Sequence, residues 1–378
     1  MATPIPIRGV GTDGVASGRG ALPRTLRVAQ LPPQRAGATS YLTLLSGALQ
    51  DAGIEVTPRG VAELWRVGWT REVDVVHLHW LEFIAPSAPG GASALARTLV
   101  RHVRLIVLLA WLRMRGIRLV WTVHNLGPHE PVRPRLESVL SRAVSRICHA
   151  LVAHSTYARE RILERWGTDG EVAVIPHGNY AGLFAPPPTT REELRGEWGI
   201  PQDAYVFLAF GQIRPYKRLP DLLSAFGALT GDDVRLLIVG KPVVADEARR
   251  LQEAAEADNR VLLDLREVPD AEVAGLHLSA DAAVLAYRDV FSSGALLLAL
   301  SLGLPVVAPD QGTAAEIAGR EAGELFASGE LTAALDRARA ADRTARADGA
   351  CAVAERYGWD RVGRETAGLY RRLVGLRR

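Results

Sequence analysis

Cysteine and long apolar runs are scarce in this sequence, and each scarcity excludes a class of protein. The 378 residues include two cysteines, Cys148 and Cys351, whose spacing fits neither a disulfide framework nor a metal site. No run of about 18 uncharged apolar residues occurs, so no helix is expected to span a membrane. We therefore expect a cytoplasmic protein, either free or held peripherally at the inner face of the membrane.

An excess of one charge sign is also lacking. Lysine and arginine number 45 against 42 aspartates and glutamates, which gives a formal net charge of +3 and a pI of about 9.0. No block of lysine and arginine typical of nucleic-acid binding is present, so no nucleic-acid partner is expected. A mildly basic chain is compatible with an anionic ligand or an anionic membrane surface.

Hydrophobic periodicity is missing from residues 1–25, which are rich in glycine, proline, threonine and alanine. Because this segment also has no apolar core of the kind found in signal peptides, we predict a disordered leader over 1–25.

After residue 25, short apolar runs alternate with helical patterns. This alternation predicts an α/β fold with parallel sheets. The predicted strands are Leu26–Gln30, 53–56, Asp74–His79, Arg118–Val123, Ala150–Ala153, Val172–Pro176, Tyr205–Phe210, Arg235–Val239, Val261–Leu265, Ala283–Ala286 and Pro305–Ala308.

Three successive prolines at 186–188 divide the series, because such a run is stiff and extended and typical of a linker. We predict an N-terminal domain over 26–185, a C-terminal domain over 190–355, and a final helix over 356–378 that crosses back to the N-terminal domain. Ligands of parallel sheets bind outside the carboxyl ends of the strands, so two such domains would face each other across a cleft.

The stretch 281–316 combines two predicted strands with a polar loop and a helix from Ala295 to Leu302. Ser292, Ser293 and Gly294 stand just before this helix, where free backbone N–H groups and the helix dipole can bind a phosphate. An ordinary helix cap is the alternative interpretation.

A second loop, GQIRPYK at 211–217, also follows a predicted strand and precedes a helix. Arg214 and Lys217 are the cations of this polar loop, and arginine and lysine both bind phosphate. Two solvated loop cations are the alternative.

Polar groups also follow the predicted strands of the first domain. His124, His129 and Glu130 lie in one loop, and Glu82 follows another strand. Such groups can act as a general base on a hydroxyl, whereas a histidine at a strand end is often a satisfied structural group.

Five segments together resemble the GT-B glycosyltransferases, and most closely a subgroup of GDP-mannose:glycolipid 4-beta-mannosyltransferases. They read DVVHLHW (74–80), WTVHNLGPHE (121–130), VIPHGNY (174–180), FGQIRPYKRLPDLLSAF (210–226) and AYRDVFSSGALLLALSLGLPVVAP (286–309). The resemblance implies two Rossmann-like domains and transfer of a hexose, with mannose favoured, from a nucleoside diphosphate sugar to an acceptor hydroxyl. The acceptor would be lipid-linked or a small molecule, and GDP-mannose would be the favoured donor. Neither a cofactor nor a metal is expected.

The resemblance also implies roles for single residues. Catalytic candidates are Glu130, which we favour as the base, with His124 and His129. The donor diphosphate would lie against Gly211, Arg214, Lys217, Ser292, Ser293 and Gly294, and the sugar or nucleotide against Tyr287, Asp289, His177 and Gly240.

One departure from the wider retaining family bears on stereochemistry. That family has two glutamates eight residues apart, where this chain has Val290 and Leu298, and Asp289 is the nearest acid. Likeness to the subgroup implies an inverting, beta-forming reaction. A sugar-nucleotide epimerase of the same fold and a degenerate nucleotide-sugar binder are the alternative functions.

The helix predicted over Leu95–Arg115 has two interpretations. Its arginines flank an apolar run, so it could rest on an anionic membrane or be a buried core helix with solvated ends.

Overall fold

The computed structural model describes residues 25–33, 40–128, 130–287, 291–292 and 294–375. Nearly all of the predicted leader, 1–24, lies outside these ranges, as do His129, Asp289 and Ser293.

The first half of the chain builds a six-stranded parallel sheet in the order β2-β1-β3-β4-β5-β6. Its strands are β1 (Leu26–Leu31), β2 (Ile54–Pro58), β3 (Val75–Leu78), β4 (Arg118–Thr122), β5 (Ala150–Ala153) and β6 (Glu171–Val174). Its helices are α1 (Tyr41–Asp51), α2 (Leu64–Thr70), α3 (Leu81–Ile84), α4 (Ala92–Met114), α5 (Pro134–Ile147) and α6 (Thr156–Trp166). The central strands are buried on both faces, which is why they read as continuous apolar runs.

The second half builds another six-stranded parallel sheet, in the order β12-β11-β10-β7-β8-β9. Its strands are β7 (Tyr205–Phe210), β8 (Val234–Val239), β9 (Val261–Asp264), β10 (Ala282–Val284), β11 (Val306–Pro309) and β12 (Gly323–Phe326). Its helices are α7 (Arg191–Glu197), α8 (Leu219–Gly227), α9 (Ala245–Ala257), α10 (Asp270–Ser279), α11 (Gly294–Ser301), α12 (Gly312–Ala318), α13 (Leu331–Ala340) and α14 (Arg343–Glu355). The α/β fold class with parallel sheets is confirmed.

Some elements were not predicted. Helices α7, α10 and α12 and the edge strand β12 are short and have weak apolar patterns. The alanine- and arginine-rich segment after Thr332, predicted as helix, is two helices, because Asp342 begins a new one by accepting a hydrogen bond from the Ala345 amide at 3.0 Å.

Each sheet reverses its strand order at one point, and ligands of parallel sheets bind there. In the first sheet the reversal lies between β1 and β3, and in the second between β7 and β10. At the carboxyl ends of these four strands, or just after them, lie Gln30, His79, Gly211 and Tyr287.

The last helix, α15 (Trp359–Val374), packs against α1 on the first sheet. The Tyr370 hydroxyl lies 2.6 Å from His77 Nδ1 on β3, and Arg371 donates to the Ala52 carbonyl at 2.7 Å. A Cβ on Gly363 would stand 2.3 Å from the Ala48 carbonyl oxygen, so the two helices touch through backbone.

Three polar contacts tie the two halves together beyond the linker. Ser155 and Thr313 share a hydrogen bond of 2.7 Å between their hydroxyls. The carboxylate of Glu316 on α12 accepts from the Thr156 amide at 2.9 Å and from the Tyr157 amide. A negative charge there complements the positive end of the α6 dipole.

Gly363→Ala should lower the melting temperature, because the added methyl group forces α15 away from α1 at a cost of about 1–3 kcal/mol. Thermal unfolding followed by circular dichroism measures the change. Gly47→Ala in α1 is the matched control, since its Cβ meets nothing within 4 Å and should be neutral or stabilising. Equal melting temperatures for Gly363→Ala and the unmodified protein would contradict this packing.

Candidate active site

Lys217 lies in the crevice between the ends of β7 and β10. Its side chain is buried and its Nζ donates to the Phe210 carbonyl at 2.8 Å. The alternative interpretation as a solvated loop cation is therefore wrong for this residue. Gly211 has a φ of +93° and faces the ammonium group of Lys217. A Cβ on Gly211 would lie 3.2 Å from Lys217 Nζ.

Burial and the nearby Arg214 lower the pKa of Lys217 to about 8. Within the described parts of the chain, no carboxylate forms an ion pair with this lysine. A buried ammonium group held only by a carbonyl oxygen is poorly compensated, and an anion in the crevice would supply the missing charge.

Arg214 points from the same loop toward the other half of the molecule. Its Nη1 and Glu130 Oε1 are 2.6 Å apart, and Gln212 Oε1 accepts from Arg214 Nη2 at 3.0 Å. The expected phosphate ligand and the expected base are thus ion-paired to each other across the cleft.

The loop before α11 touches the first sheet. Ser292 donates from its hydroxyl to the His124 carbonyl at 2.7 Å, so its proton is committed to this contact and not free for a phosphate. Gly294 is the first residue of α11, and a Cβ there would stand 2.9 Å from the Tyr180 hydroxyl. Ser293 and Asp289, expected in this loop, lie outside the described residues.

Tyr287, Gly240 and His177 have evident packing roles. Tyr287 is buried, with its ring 5.5 Å from that of Tyr216. Gly240 has φ of +151°, and a Cβ there would stand 2.3 Å from the Gly211 carbonyl oxygen, so close packing of two loops requires the glycine. His177 is buried and donates from Nδ1 to the Gly178 carbonyl at 2.7 Å.

Four histidines that end strands or loops of the first half converge on Tyr41. The sequence shows them only as separate polar groups. The ring of Tyr41 lies 4.8 to 6.1 Å from six other rings, those of His79, Trp80, His124, His154, His177 and Trp359. We call these seven residues the Tyr41 cluster. Convergence follows from topology, since the carboxyl ends of neighbouring parallel strands meet at one edge.

A chain of hydrogen bonds links Ser46 to His124. The Ser46 hydroxyl lies 2.7 Å from the Leu42 carbonyl oxygen and 2.6 Å from Gln30 Oε1. The amide nitrogen of Gln30 lies 3.3 Å from His79 Nε2, and His79 Nδ1 lies 3.2 Å from His124 Nε2. In each neutral imidazole one ring nitrogen donates and the other accepts, so these contacts fix the orientation of the His124 ring.

Burial keeps these imidazoles neutral. It lowers the pKa of His154 to about 3 and that of His177 to about 4, and it holds those of His79 and His124 well below the usual value. His124, stacked on Trp80 at 4.1 Å, can orient a substrate but has no tendency to take up a proton. The role of His129, which lies outside the described ranges, stays a prediction.

A metal site would need at least three clustered ligands. Among the residues that the structure describes, no group of three histidine, cysteine, aspartate or glutamate side chains is arranged to hold an ion. In the same ranges, no helix is both long enough and apolar enough to cross a bilayer.

Comparisons with known proteins agree with this architecture. The Glycosyltransferase Family 4 model matches residues 35–180, and the model for Glycosyl transferases group 1 matches residues 190–343. The chain is 31% identical over 355 residues to the GDP-mannose:glycolipid 4-beta-D-mannosyltransferase of Xanthomonas campestris pv. campestris, covering 91% of each chain.

A more distant relative and a solved structure extend the comparison. The GDP-mannose-dependent alpha-(1-6)-phosphatidylinositol monomannoside mannosyltransferase of Mycolicibacterium smegmatis is 25% identical, with 75% of this chain and 80% of that protein covered. The structure of HepE from Anabaena in complex with UDP superposes with a TM-score of 0.68 at 17% identity, covering 92% of this chain and 99% of that one. This likeness shows the GT-B fold.

Acidification should destabilise the protein because of the Tyr41 cluster. Histidines of the unfolded chain bind protons below about pH 6.5, whereas His154 and His177 in the fold do so only near 3 and 4. Below about pH 6.5 and above these lower pKa values, the unfolded state thus holds more protons than the folded state. In this pH range each such histidine lowers the free energy of unfolding by about 1.4 kcal/mol for each pH unit of acidification. Melting temperatures measured from pH 7.5 to 5 should fall.

His154→Gln removes one of these protonation sites, so its melting temperature should depend less steeply on pH than that of the unmodified protein. An unchanged melting temperature between pH 7 and pH 5 in the unmodified protein would contradict the neutral cluster.

Proposed function

Because this chain belongs to the glycosyltransferase family represented by these relatives, we propose that its donor is GDP-mannose, its acceptor a lipid-linked sugar, and its product beta-linked. The chain is a glycosyltransferase of the GT-B fold that moves a hexose from a nucleoside diphosphate sugar to an acceptor hydroxyl. The finer assignment draws on the relative from Xanthomonas campestris, which resembles this chain over nearly its whole length.

The buried ammonium group of Lys217 is the observation that carries the proposal. It lies at the point where the strand order of the second sheet reverses, with a carbonyl oxygen as its partner and the guanidinium of Arg214 nearby. A diphosphate gains negative charge as its bond to the sugar breaks, and preformed positive charge stabilises that change. Lys217 would bind the leaving diphosphate directly.

Arg214 and the N-terminus of α11 would complete the phosphate site. Arg214 is held in place by Gln212 and would exchange Glu130 for a phosphate oxygen. The first backbone N–H groups of α11 stand at the positive end of its dipole. With this charge available, the proposed reaction needs no metal ion.

The side chain of Leu298 on α11 supports the assignment to the beta-forming subgroup. The wider retaining family that this chain resembles has a glutamate at this helix position, and a leucine cannot accept hydrogen bonds from sugar hydroxyls. Hydroxyl recognition must come from other groups, which fits a donor bound differently from that of the retaining enzymes.

Helix α4 supports a membrane-bound acceptor. Its inner face, including Leu105, Leu108 and Leu112, is buried in the core, whereas Val103 and Val107 on its outer face are 55% and 51% exposed. Arginines at 97, 101 and 104 flank these valines, and the helix contains no acidic residue. The interpretation as a core helix therefore describes the inner face. A basic surface with exposed apolar side chains matches an anionic bilayer, so membrane contact is proposed for the outer face.

Nucleotide binding and turnover test the donor assignment. GDP and GDP-mannose should raise the melting temperature more than UDP and UDP-glucose, and GDP should be released only when a lipid-linked acceptor is present. Lys217→Met should weaken GDP binding about ten- to a hundredfold by calorimetry, because a charged phosphate contact is lost. Proton NMR of the product should show a beta linkage.

The matched control is Lys241→Met, which removes a lysine that is exposed and ion-paired with Glu267. Comparable weakening in both variants would point to general charge and not to the crevice. An alpha-linked product would contradict the inverting reaction, and GDP release at the same rate without acceptor would contradict transfer.

Reversing one charge on α4 tests membrane contact. Arg104→Glu should reduce binding to anionic vesicles about ten- to thirtyfold in a sedimentation assay, since each basic residue at the surface contributes about 1 kcal/mol. The matched control is Arg165→Glu on α6, which makes an equally large charge change at an exposed arginine outside the proposed surface. This variant should bind the vesicles as the unmodified protein does. Equal loss in the two variants would exclude α4 as the membrane-binding face.

A further inference from the structure

A pocket opens beside His124 in the first half of the molecule, at the ends of β3 and β4. Two tryptophans form part of its wall, and the polar groups that line it include two carboxylates, an amide and a hydroxyl. These residues are Trp80, Trp121, Glu82, Glu137, Asn125 and Ser87. Apolar walls with a few converging polar groups are typical of small-ligand sites, and this narrow pocket can bind the hydroxyls at one edge of a sugar ring.

Two polar atoms of the pocket are buried without a hydrogen-bond partner, Ser87 Oγ and Glu137 Oε2. The other carboxylate oxygen of Glu137 accepts from the Arg133 amide at 3.0 Å, so the side chain is held in position. Buried polar atoms nearly always have a hydrogen-bond partner. Two such atoms without a partner in one pocket therefore indicate groups that bind a ligand. A ligand with several hydroxyls would satisfy both.

Glu82 differs from Glu130 in its surroundings. Burial and the neighbouring Glu137 raise the pKa of Glu82, whereas Glu130 is half exposed and would stay in solvent once Arg214 moves to a phosphate. A carboxylate sheltered from solvent is the stronger base. The pocket therefore contains a better proton acceptor than the loop at 124–130 does.

The pocket also lies next to the loop that precedes α11. Trp80 stacks on the His124 ring with the ring centroids 4.1 Å apart. The carbonyl oxygen of His124 accepts a hydrogen bond from the Ser292 hydroxyl at 2.7 Å. His124 thus touches the pocket with its ring and the proposed donor loop with its backbone. A hydroxyl bound in the pocket would be close to a sugar held at that loop.

We propose that this pocket binds the terminal sugar of the acceptor and that Glu82 takes the proton of its attacking hydroxyl. In this step the acceptor O–H bond breaks and its oxygen bonds to the anomeric carbon of the donor. The bond from that carbon to the phosphate oxygen breaks, and the diphosphate leaves with the electron pair. The proton remains on Glu82 and passes to water after release. Glu137 and Ser87 bind neighbouring hydroxyls.

This inference rests on the proposed function, and steady-state kinetics with the donor and acceptor that the unmodified protein uses can test it. Glu82→Gln keeps the shape and loses the basicity, so kcat should fall about 10²- to 10⁴-fold with the donor KM nearly unchanged. Glu137→Gln should mainly raise the acceptor KM. Glu160→Gln, at an exposed position on α6, is the matched control and should behave as the unmodified protein.

Nucleotide-induced melting shifts of normal size in Glu82→Gln will show that the fold and the donor site are intact. Full activity in that variant would overturn the inference, as would a loss in Glu130→Gln as large as that expected for Glu82→Gln. If the unmodified protein turns over no nucleotide sugar with any lipid-linked acceptor, the proposed function itself fails, which is a separate result.

Discussion

The packing of six rings around Tyr41 holds the first half of the molecule in one arrangement. These rings come from the ends of β3, β4 and β5, from the segment before the linker and from α15, which are distant in sequence. The same packing excludes water, so the imidazoles stay neutral, and His79, His124 and His177 are held by directed hydrogen bonds. This packing holds the surrounding strand ends in place, and with them His124 beside the donor loop.

Electrostatics differ between the two sides of the cleft. The second half presents Lys217 and Arg214, which are preformed positive charges for a departing diphosphate. The first half presents neutral imidazoles and, in the pocket, Glu82 and Glu137. On the proposed mechanism this division is required, because a cation close to the base would hold it as a carboxylate and weaken its attraction for the acceptor proton.

The sequence was sufficient for most of the strands and insufficient for several short helices and for the contacts between elements. Strands such as Ala150–Ala153 and Tyr205–Phe210 were predicted with their exact limits, because buried parallel strands are short apolar runs. The burial of Lys217 could not be predicted, since a lysine after a glycine loop looks solvated until β10 is placed beside it. The pairing of Arg214 with Glu130, which are 84 positions apart, could not be predicted either. Nor could the preference for Glu82, which depends on its burial and on the neighbouring Glu137.

The proposed inverting reaction also constrains how the halves are joined. The acceptor hydroxyl must attack the anomeric carbon from the face opposite to the leaving diphosphate, so the distance between the Lys217 crevice and the Glu82 pocket has to match one sugar ring. The proline linker alone cannot set such a distance. The contacts of Ser292 with His124, of Ser155 with Thr313 and of Glu316 with the start of α6 can, because each joins the two halves directly beside the cleft. On the proposed mechanism this fixed spacing matters more because Leu298 cannot accept a hydrogen bond from the donor sugar.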